Sequence, residues 1–198
     1  MTKTRARSYH HGDLRAELLQ HAETTLRTAG VDGLSLRQLA RDTGVSHAAP
    51  TRHFRDKQAL LDALAVAGFE RLGASFENLT GDAVSTDPIR TMARTYLDFA
   101  TQNSALLALM FARRHSPVAG DAMAQAVDRA FAVPVSLIAH GQDCGEIIPG
   151  DPRRIALTAV AALQGLATFL GSGLVAADAA DEWLDGLVAH VMLGLQPR

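Results

Sequence analysis

Apolar residues recur at helical spacing along most of the chain, and no stretch alternates with the two-residue period of a strand. Breaks rich in Gly, Pro, Asp and Ser separate the periodic segments. The pattern predicts helices over about residues 12–28, 35–43, 46–53, 56–79, 87–101, 104–113, 119–141, 152–172 and 181–195. The predicted fold class is therefore all-α, with about nine helices.

Residues at the ends of these segments predict where individual helices begin and end. Ser35, Ser46 and Asp56 stand where N-caps of the second, third and fourth helices are expected. Gly44 supplies the left-handed residue after the second helix. Pro134 lies inside the seventh segment and should kink or divide that helix, because proline removes a backbone donor.

The net charge of −2 conceals an asymmetry along the chain. Residues 1–57 hold ten Lys/Arg against six Asp/Glu, and five of the eight histidines. The remaining residues hold nine Lys/Arg against fifteen Asp/Glu. A basic third on an acidic body is compatible with a local nucleic-acid site and equally with an ordinary solvated surface.

Composition also argues against several classes of protein. Cys144 is the only cysteine, so one chain can form neither a disulfide nor a cysteine-based zinc site. The basic start lacks the apolar core of a signal peptide. The apolar stretch over residues 155–170 is shorter than a bilayer requires. We expect a cytoplasmic protein that has no membrane partner.

The most informative segment is residues 33–57, GLSLRQLARDTGVSHAAPTRHFRDK. Two short predicted helices are joined by a tight connection at Gly44, and Ala40 is small where the second helix would cross the first. Such a pair can place its second helix in the major groove of DNA. The pattern also occurs in proteins that do not bind DNA.

The same segment resembles the N-terminal domain of the TetR family, whose recognition helix ends in Tyr-x-His-Phe before a lysine. The matching residues are Arg52-His53-Phe54 and Lys57, and the opening Tyr9-His10-His11-Gly12-Asp13-Leu14-Arg15 is similar to one subgroup. The resemblance is strong over about residues 9–69. In the C-terminal part, Gln164 stands where one subdivision has the His of a His-Gly pair.

The resemblance implies double-stranded DNA as a partner and assigns contacts to particular positions. Arg37 would reach a phosphate or a base edge, and His53 and Lys57 would bind phosphates. Thr51 stands where the family has a tyrosine that donates to a phosphate. The full set of predicted DNA-binding residues on the two helices is Arg37, Ser46, His47, Ala48, Ala49, Thr51, Arg52, His53 and Lys57.

Lys3, Arg5 and Arg7 precede the first helix with no acidic residue between them. They would form an arm along phosphates or the minor groove, or simply a solvated terminus.

Two short patterns in the sequence resemble cofactor or metal sites, but neither has the neighbouring structure that such a site requires. Residues 171–176, GSGLVA, fit a relaxed dinucleotide-binding fingerprint, but a helical segment precedes them where a strand is required. His10, His11 and Asp13 are explained more simply by a turn and a helix start than by a metal site. We expect no enzyme activity, no cofactor and no metal.

The C-terminal helices suggest a ligand pocket and a dimer interface. Helical bundles bind ligands between helices, and the predicted lining is Tyr96, Phe99, Met110, Phe111, Met123, Phe131, Gln164 and Thr168. The last two helices are apolar and should pair with a second copy. The predicted interface is Leu163, Leu166, Leu170, Leu184, Leu187, Val188, Val191 and Met192.

The sequence therefore predicts a DNA-binding domain over residues 1–55, a linking helix over residues 56–79 and a regulatory domain over residues 80–198. The resemblance implies a ligand-responsive regulator, a dimeric repressor that a small-molecule effector releases from a palindromic operator. Two alternatives stay open. One is a helical-bundle enzyme with an incidental helix-turn-helix, and the other is a protein-binding module that no longer binds DNA.

Overall fold

The computed structural model describes residues 14–80, 87–116 and 119–197, and these form nine α-helices and no strand. The helices are α1 (Leu14–Ala29), α2 (Leu36–Asp42), α3 (Ala49–His53), α4 (Lys57–Glu77), α5 (Pro88–Gln102), α6 (Ser104–Arg113), α7 (Gly120–Asp143), α8 (Pro152–Ser172) and α9 (Ala180–Leu195). Single 3₁₀ turns follow α4 and precede α9. The all-α prediction is confirmed.

Capping aspartates begin three of the longer helices. The carboxylate of Asp56 accepts a hydrogen bond from the backbone N–H of Ala59 at 2.8 Å. Asp87 and Asp151 accept in the same way at 2.9 Å ahead of α5 and α8. Each cap satisfies a backbone donor that the first helical turn leaves unpaired. Ser35 is the N-cap residue of α2 in extended conformation, but its side chain makes no capping hydrogen bond.

The three N-terminal helices close around a small core. Leu18 and Ala22 of α1 are fully buried, and they lie in one cluster with Leu34, Leu39 and Phe54. Ala40 is also fully buried, which agrees with the close helix crossing predicted there. The core fixes the orientation of α3, because Phe54 directly follows that helix.

Helix α4 joins this small core to the rest of the molecule. Its first half contributes Leu60 and Leu64 and its second half Phe69 and Phe76 to one continuous apolar cluster that reaches α9. A Cβ at Gly73 would lie 3.2 Å from the Cα of Ala130 in α7. The two backbones therefore touch with no side chain between them, and this contact fixes α4 against α7.

Pro134 does not divide α7, so that part of the prediction is wrong. The helix is continuous over Gly120–Asp143, and Pro134 is buried within it. The buried side chains of Ala130, Phe131 and Ile138 flank the proline on both sides. Their packing stabilises the helix across the one backbone hydrogen bond that proline cannot donate.

Helices α7 and α8 are long and apolar enough to cross a membrane, judged by length and composition alone, with mean hydropathies of 1.2 and 1.6. At 21 residues α8 is longer than the apolar stretch from which the sequence argued against a span, so length does not exclude one. Core helices satisfy the same criterion. Val160, Leu163 and Leu166 of α8 lie in the main core.

Candidate nucleic-acid interface

The connection between α2 and α3 is a tight hydrogen-bonded turn. Gly44 adopts φ +68°, the left-handed conformation that the sequence predicted. The Val45 backbone N–H donates to the Ala40 carbonyl at 2.9 Å, and the buried Thr43 hydroxyl donates to the Leu39 carbonyl at 2.7 Å. These bonds satisfy the carbonyls at the end of α2 and turn the chain toward α3.

Helix α3 begins later than predicted, and Ser46 is not its N-cap. The helix spans Ala49–His53, and Ala48 occupies the N-cap position. Pro50 is thus in the first turn, where its missing N–H leaves no backbone acceptor unpaired. His47 and Ala48 lie in the turn ahead of the helix. The Ala49 backbone N–H donates to the Ser46 carbonyl at 2.9 Å and closes that turn.

Most of the predicted DNA-binding residues in the turn, in α3 and in α2 are exposed. Pro50 and Phe54 are buried, and Ala49 and Lys57 are half-buried. The exposed members of the predicted set are Arg37, Ser46, His47, Ala48, Thr51, Arg52 and His53. We call residues 46–53 together with Arg37 and Lys57 the reading surface.

The cations of the reading surface are not neutralised within the part of the chain that the structure describes. The side chains of Arg37, Arg52 and Lys57 make no ion pair or hydrogen bond with another described residue. Arg41 and Arg55, which lie outside this surface, pair with Gln38 and Asp56. The guanidiniums and the ammonium are therefore free to bind an anion without first breaking an internal bond.

Thr51 differs from the family tyrosine in more than length. Its hydroxyl donates to the Ala48 carbonyl at 2.9 Å, so its only proton is used inside the turn. Donation to a phosphate would require that bond to break.

Three further predicted contacts, Lys3, Arg5 and Arg7, lie outside the described residues, as do residues 9–13 of the opening segment.

Five of the eight predicted ligand-pocket residues are buried. The exposed fractions of Tyr96, Phe99, Met110 and Met123 are all 7% or less, and these four side chains pack in the core. The Tyr96 hydroxyl donates to Gln164 Oε1 at 2.8 Å, and burial raises the pKa of this hydroxyl well above its ordinary value. Thr168 is exposed, and its hydroxyl donates to the Gln164 carbonyl.

Phe111 and Phe131 do border a common cavity of about 310 Å³ between α4, α6, α7 and α8. The sequence did not assign the other residues around it, which are Phe69, Arg114, His115, Ala124, Val127, Asp128, Arg153 and Leu157. They come from four helices and one connection.

A buried ion pair lies beside this cavity and ties α4 to the end of α6. Arg113 Nε donates to Asp62 Oδ1 at 2.6 Å, and the Ser116 hydroxyl donates to Asp62 Oδ2 at 3.0 Å. Arg113 also donates to Gln58 Oε1 at 2.7 Å. The Asp62 side chain is only 5% exposed. We call these four residues the α4–α6 latch; no local pattern in the sequence predicts it.

The predicted dimer residues divide between the interior and the surface. Leu163, Leu166 and Leu184 are buried in the protomer's own core, and Leu166 also lines the groove described below. Leu170, Leu187, Val188, Val191 and Met192 are half-buried. The exposed apolar residues beside them are Phe169, Trp183 and Leu193, at 44%, 53% and 67% exposure, which the interface prediction omitted.

Phe169 and Trp183 border a groove between α8 and α9, whereas Leu193 of α9 is not among the residues that line it. Gly165 and Gly186 line the groove, and a Cβ at either position would meet nothing within 4 Å. We call this groove, with Phe169, Trp183 and Leu193, the α8–α9 face.

The fold and the reading surface together define a class of protein. An N-terminal helix-turn-helix is carried on an all-α body, which is the arrangement of DNA-binding transcription regulators. Comparison with known proteins narrows this class.

Two family profiles match most of the chain. The profile "Bacterial regulatory proteins, tetR family" matches residues 18–64, and "Tetracyclin repressor-like, C-terminal domain" matches residues 89–191. The chain therefore belongs to the TetR family of transcriptional regulators, and it is a transcription factor rather than an enzyme.

Individual relatives resemble the chain in sequence or in fold. The chain is 50% identical over 50 residues to the class A tetracycline repressor from transposon 1721 of Escherichia coli, a match that covers 25% of this chain and 23% of that repressor. The structure of a protein of unknown function from Rhodococcus sp. RHA1 has 44% identity and a TM-score of 0.85, and the match covers 96% of this chain and 100% of that one. The TetR family regulator PfmR from Thermus thermophilus shares the fold, with 18% identity and a TM-score of 0.68 over 91% and 99% of the two chains.

Proposed function

We propose that this TetR-family regulator is a cytoplasmic repressor that binds a palindromic operator as a homodimer and leaves it when a small molecule binds. In this proposal residues 1–55 form the DNA-binding domain, and residues 80–198 form the domain that binds the ligand and the second copy. Residues 56–79 link the two domains. The observation that carries the proposal is the exposed reading surface with its unpaired cations.

On the reading surface we assign base contacts to the turn and α3, and phosphate contacts to their flanks. His47 and Arg52 are exposed at the two ends of the short segment that would enter the major groove. His53 and Lys57 follow it, and Lys57 is the first residue of α4, where the helix terminus also favours anions. Arg37, in α2, would contact a phosphate or a base edge beside this segment.

Selection of bound sites from random duplex DNA tests the operator assignment. We expect two inverted half-sites separated by about one helical turn, roughly 34 Å, as two successive major grooves require. Lys57→Ala should weaken binding to all sequences alike and reduce the magnitude of the salt slope by about one. Arg129→Ala, which removes an exposed arginine of α7, is the control and should leave the slope unchanged. Recovery of no common motif would contradict the operator proposal, and an unchanged slope would remove Lys57 from the interface.

The α8–α9 face supports the homodimer. Large apolar side chains are rarely left in one contiguous patch on a monomer, and two-fold pairing of the same face would cover them. The glycines of the groove would let the helices of the second copy approach closely.

Gly186→Arg tests this interface with little risk to the protomer, because its Cβ meets nothing within 4 Å. The new side chain should obstruct the second copy and yield a folded monomer with reduced operator affinity, since one short helix contacts few base pairs. Gly171→Arg is the matched control, because its Cβ is equally free and it lies outside the groove. Sedimentation that finds dimers of both variants would place the interface elsewhere.

Helix α4 would transmit the effect of ligand binding to the DNA-binding helices. The α4–α6 latch holds the first half of α4 to the residues beside the cavity. Arg71 of α4 binds Glu23 of α1 through two hydrogen bonds of 2.9 and 3.0 Å. Helix α1, and with it the reading surface, would therefore follow α4 in a rigid-body motion. A coupling of about 1–3 kcal/mol corresponds to a loss of operator affinity of roughly 5- to 150-fold.

A further inference from the structure

The cavity of about 310 Å³ beside the latch combines an aromatic interior with charged groups at its border. Phe69 and Phe111 meet edge to face, with ring centroids 6.1 Å apart and planes at 85°. Phe69 is fully buried and Phe131 is 6% exposed. This lining is suited to the flat apolar body of a small ligand, and the volume lies at the lower end of the range for such sites.

The charged side chains around the cavity do not fully compensate one another. Arg153 Nη1 and Asp128 Oδ1 form an ion pair at 2.8 Å and largely cancel each other. The guanidinium of Arg114 has no ion-pair or hydrogen-bond partner among residues 14–80, 87–116 and 119–197. The imidazole ring of His115 also borders the cavity. The border of the cavity therefore keeps one uncompensated cation.

We propose that this cavity binds an organic anion whose aromatic body lies among the three phenylalanines and whose carboxylate pairs with Arg114. A guanidinium offers a carboxylate two parallel hydrogen bonds, which fixes the orientation of the ligand as well as its charge. A cationic ligand of the same shape would be repelled by Arg114. This inference rests on the proposed function, because it names the class of effector that the regulator detects.

The position of Arg114 also connects the anion to the latch. Arg114 and His115 lie between Arg113 and Ser116, the two residues that hold Asp62 of α4. A carboxylate bound to Arg114 would shift the turn that carries Arg114. The same shift would move Arg113 and Ser116 and weaken their bonds to Asp62. Ligand binding therefore acts on α4 through covalently adjacent residues rather than through a long chain of contacts.

Calorimetric titration with three matched probes tests the charge preference: 1-naphthylacetate, its neutral amide 1-naphthylacetamide, and the cation 1-naphthylmethylamine. We expect the carboxylate to bind with a Kd of about 1 mM or tighter and the amide to bind about tenfold more weakly. The amine should bind most weakly. Inorganic phosphate, which lacks the aromatic body, should not compete with the carboxylate.

Arg114→Gln should bring the affinities for the carboxylate and the amide together while the affinity for the amide persists. Arg129→Gln, an exposed arginine of α7 that does not line the cavity, should keep the full preference. Equal binding of carboxylate and amide by the unmodified protein, a preference that survives Arg114→Gln, or no saturable binding would each overturn the inference. Operator selection by the ligand-free protein is unaffected by any of these outcomes, so failure here is distinguishable from failure of the proposed function.

Discussion

Removal of Arg113 from the α4–α6 latch should destabilise the protein far more than loss of an ordinary ion pair. The Asp62 side chain is 5% exposed, Arg113 Nε donates to its Oδ1 at 2.6 Å, and Arg113 Nη2 lies 2.5 Å from the same oxygen. In Arg113→Met the carboxylate keeps only the Ser116 hydroxyl. A buried charge that loses its partner costs about 3–5 kcal/mol, and we expect the free energy of unfolding to fall by that amount.

A second substitution separates the buried charge from the loss of packing. In the double variant Asp62→Asn/Arg113→Met no charge is buried, and the amide can still accept from Ser116. We expect this variant to be more stable than Arg113→Met alone by about 1.5 kcal/mol or more. Arg129→Met, which breaks an exposed pair with Glu70, is the control and should change stability by less than about 1 kcal/mol.

Urea unfolding followed by far-UV circular dichroism measures these differences. All variants must be compared at one protein concentration, because dimerisation would contribute to the apparent stability. A change of less than about 0.5 kcal/mol in Arg113→Met, typical of a surface substitution, would refute the assignment of Asp62 as a buried, paired charge. The double variant also tests the regulatory role of the latch. It should still bind 1-naphthylacetate, but the ligand should no longer lower its operator affinity to the same extent.

Three further substitutions address other parts of the structure. Tyr96→Phe leaves Gln164 Oε1 without its donor and should lower the free energy of unfolding by about 1–2 kcal/mol at neutral pH. Burial raises the pKa of Tyr96 above the ordinary 10.0, so the wild type should lose stability as the pH rises past that value. The variant, which lacks the hydroxyl, should lose less. Gly73→Ala places a methyl group against the backbone of α7 and should destabilise by about 1–3 kcal/mol in thermal unfolding, whereas Gly171→Ala, with free space around it, should not. Thr51→Tyr restores the family's phosphate donor and should tighten operator binding about three- to tenfold in a titration; unchanged affinity would exclude a phosphate near that position.

The sequence predicted most of the secondary structure because the signals for it are local. The bounds of α6 and α8 agree with the prediction to the residue, because the apolar periodicity and the breaks that end it are signals from neighbouring residues. The N-cap of α3 lies two residues later than predicted, at Ala48 instead of Ser46, because two local signals conflict there. Ser46 is a good N-cap residue, but Pro50 is placed most readily in the first turn.

The cavity and the α8–α9 face could not be located in the same way. The lining of the cavity comes from α4, α6, α7 and α8, and periodicity indicates that a helix has an apolar side without indicating which helix covers it. Helix α8 is apolar on most of its circumference. Leu163, which is buried in the protomer, and Phe169, which is 44% exposed, therefore could not be distinguished from the sequence.

The backbone contact between Gly73 and Ala130 makes α4 a lever with a fixed pivot. Because the two backbones touch there, we expect that in the proposed response to a ligand α4 would rotate about that point rather than slide along α7. Lys57 lies about 24 Å along the axis from Gly73, at 1.5 Å per residue, and a rotation of about 5° moves it by about 2 Å. The latch at Asp62 is close to the far end of this arm. In a two-fold dimer both arms would swing together, and the separation of the two reading surfaces would change by up to about twice the displacement of one.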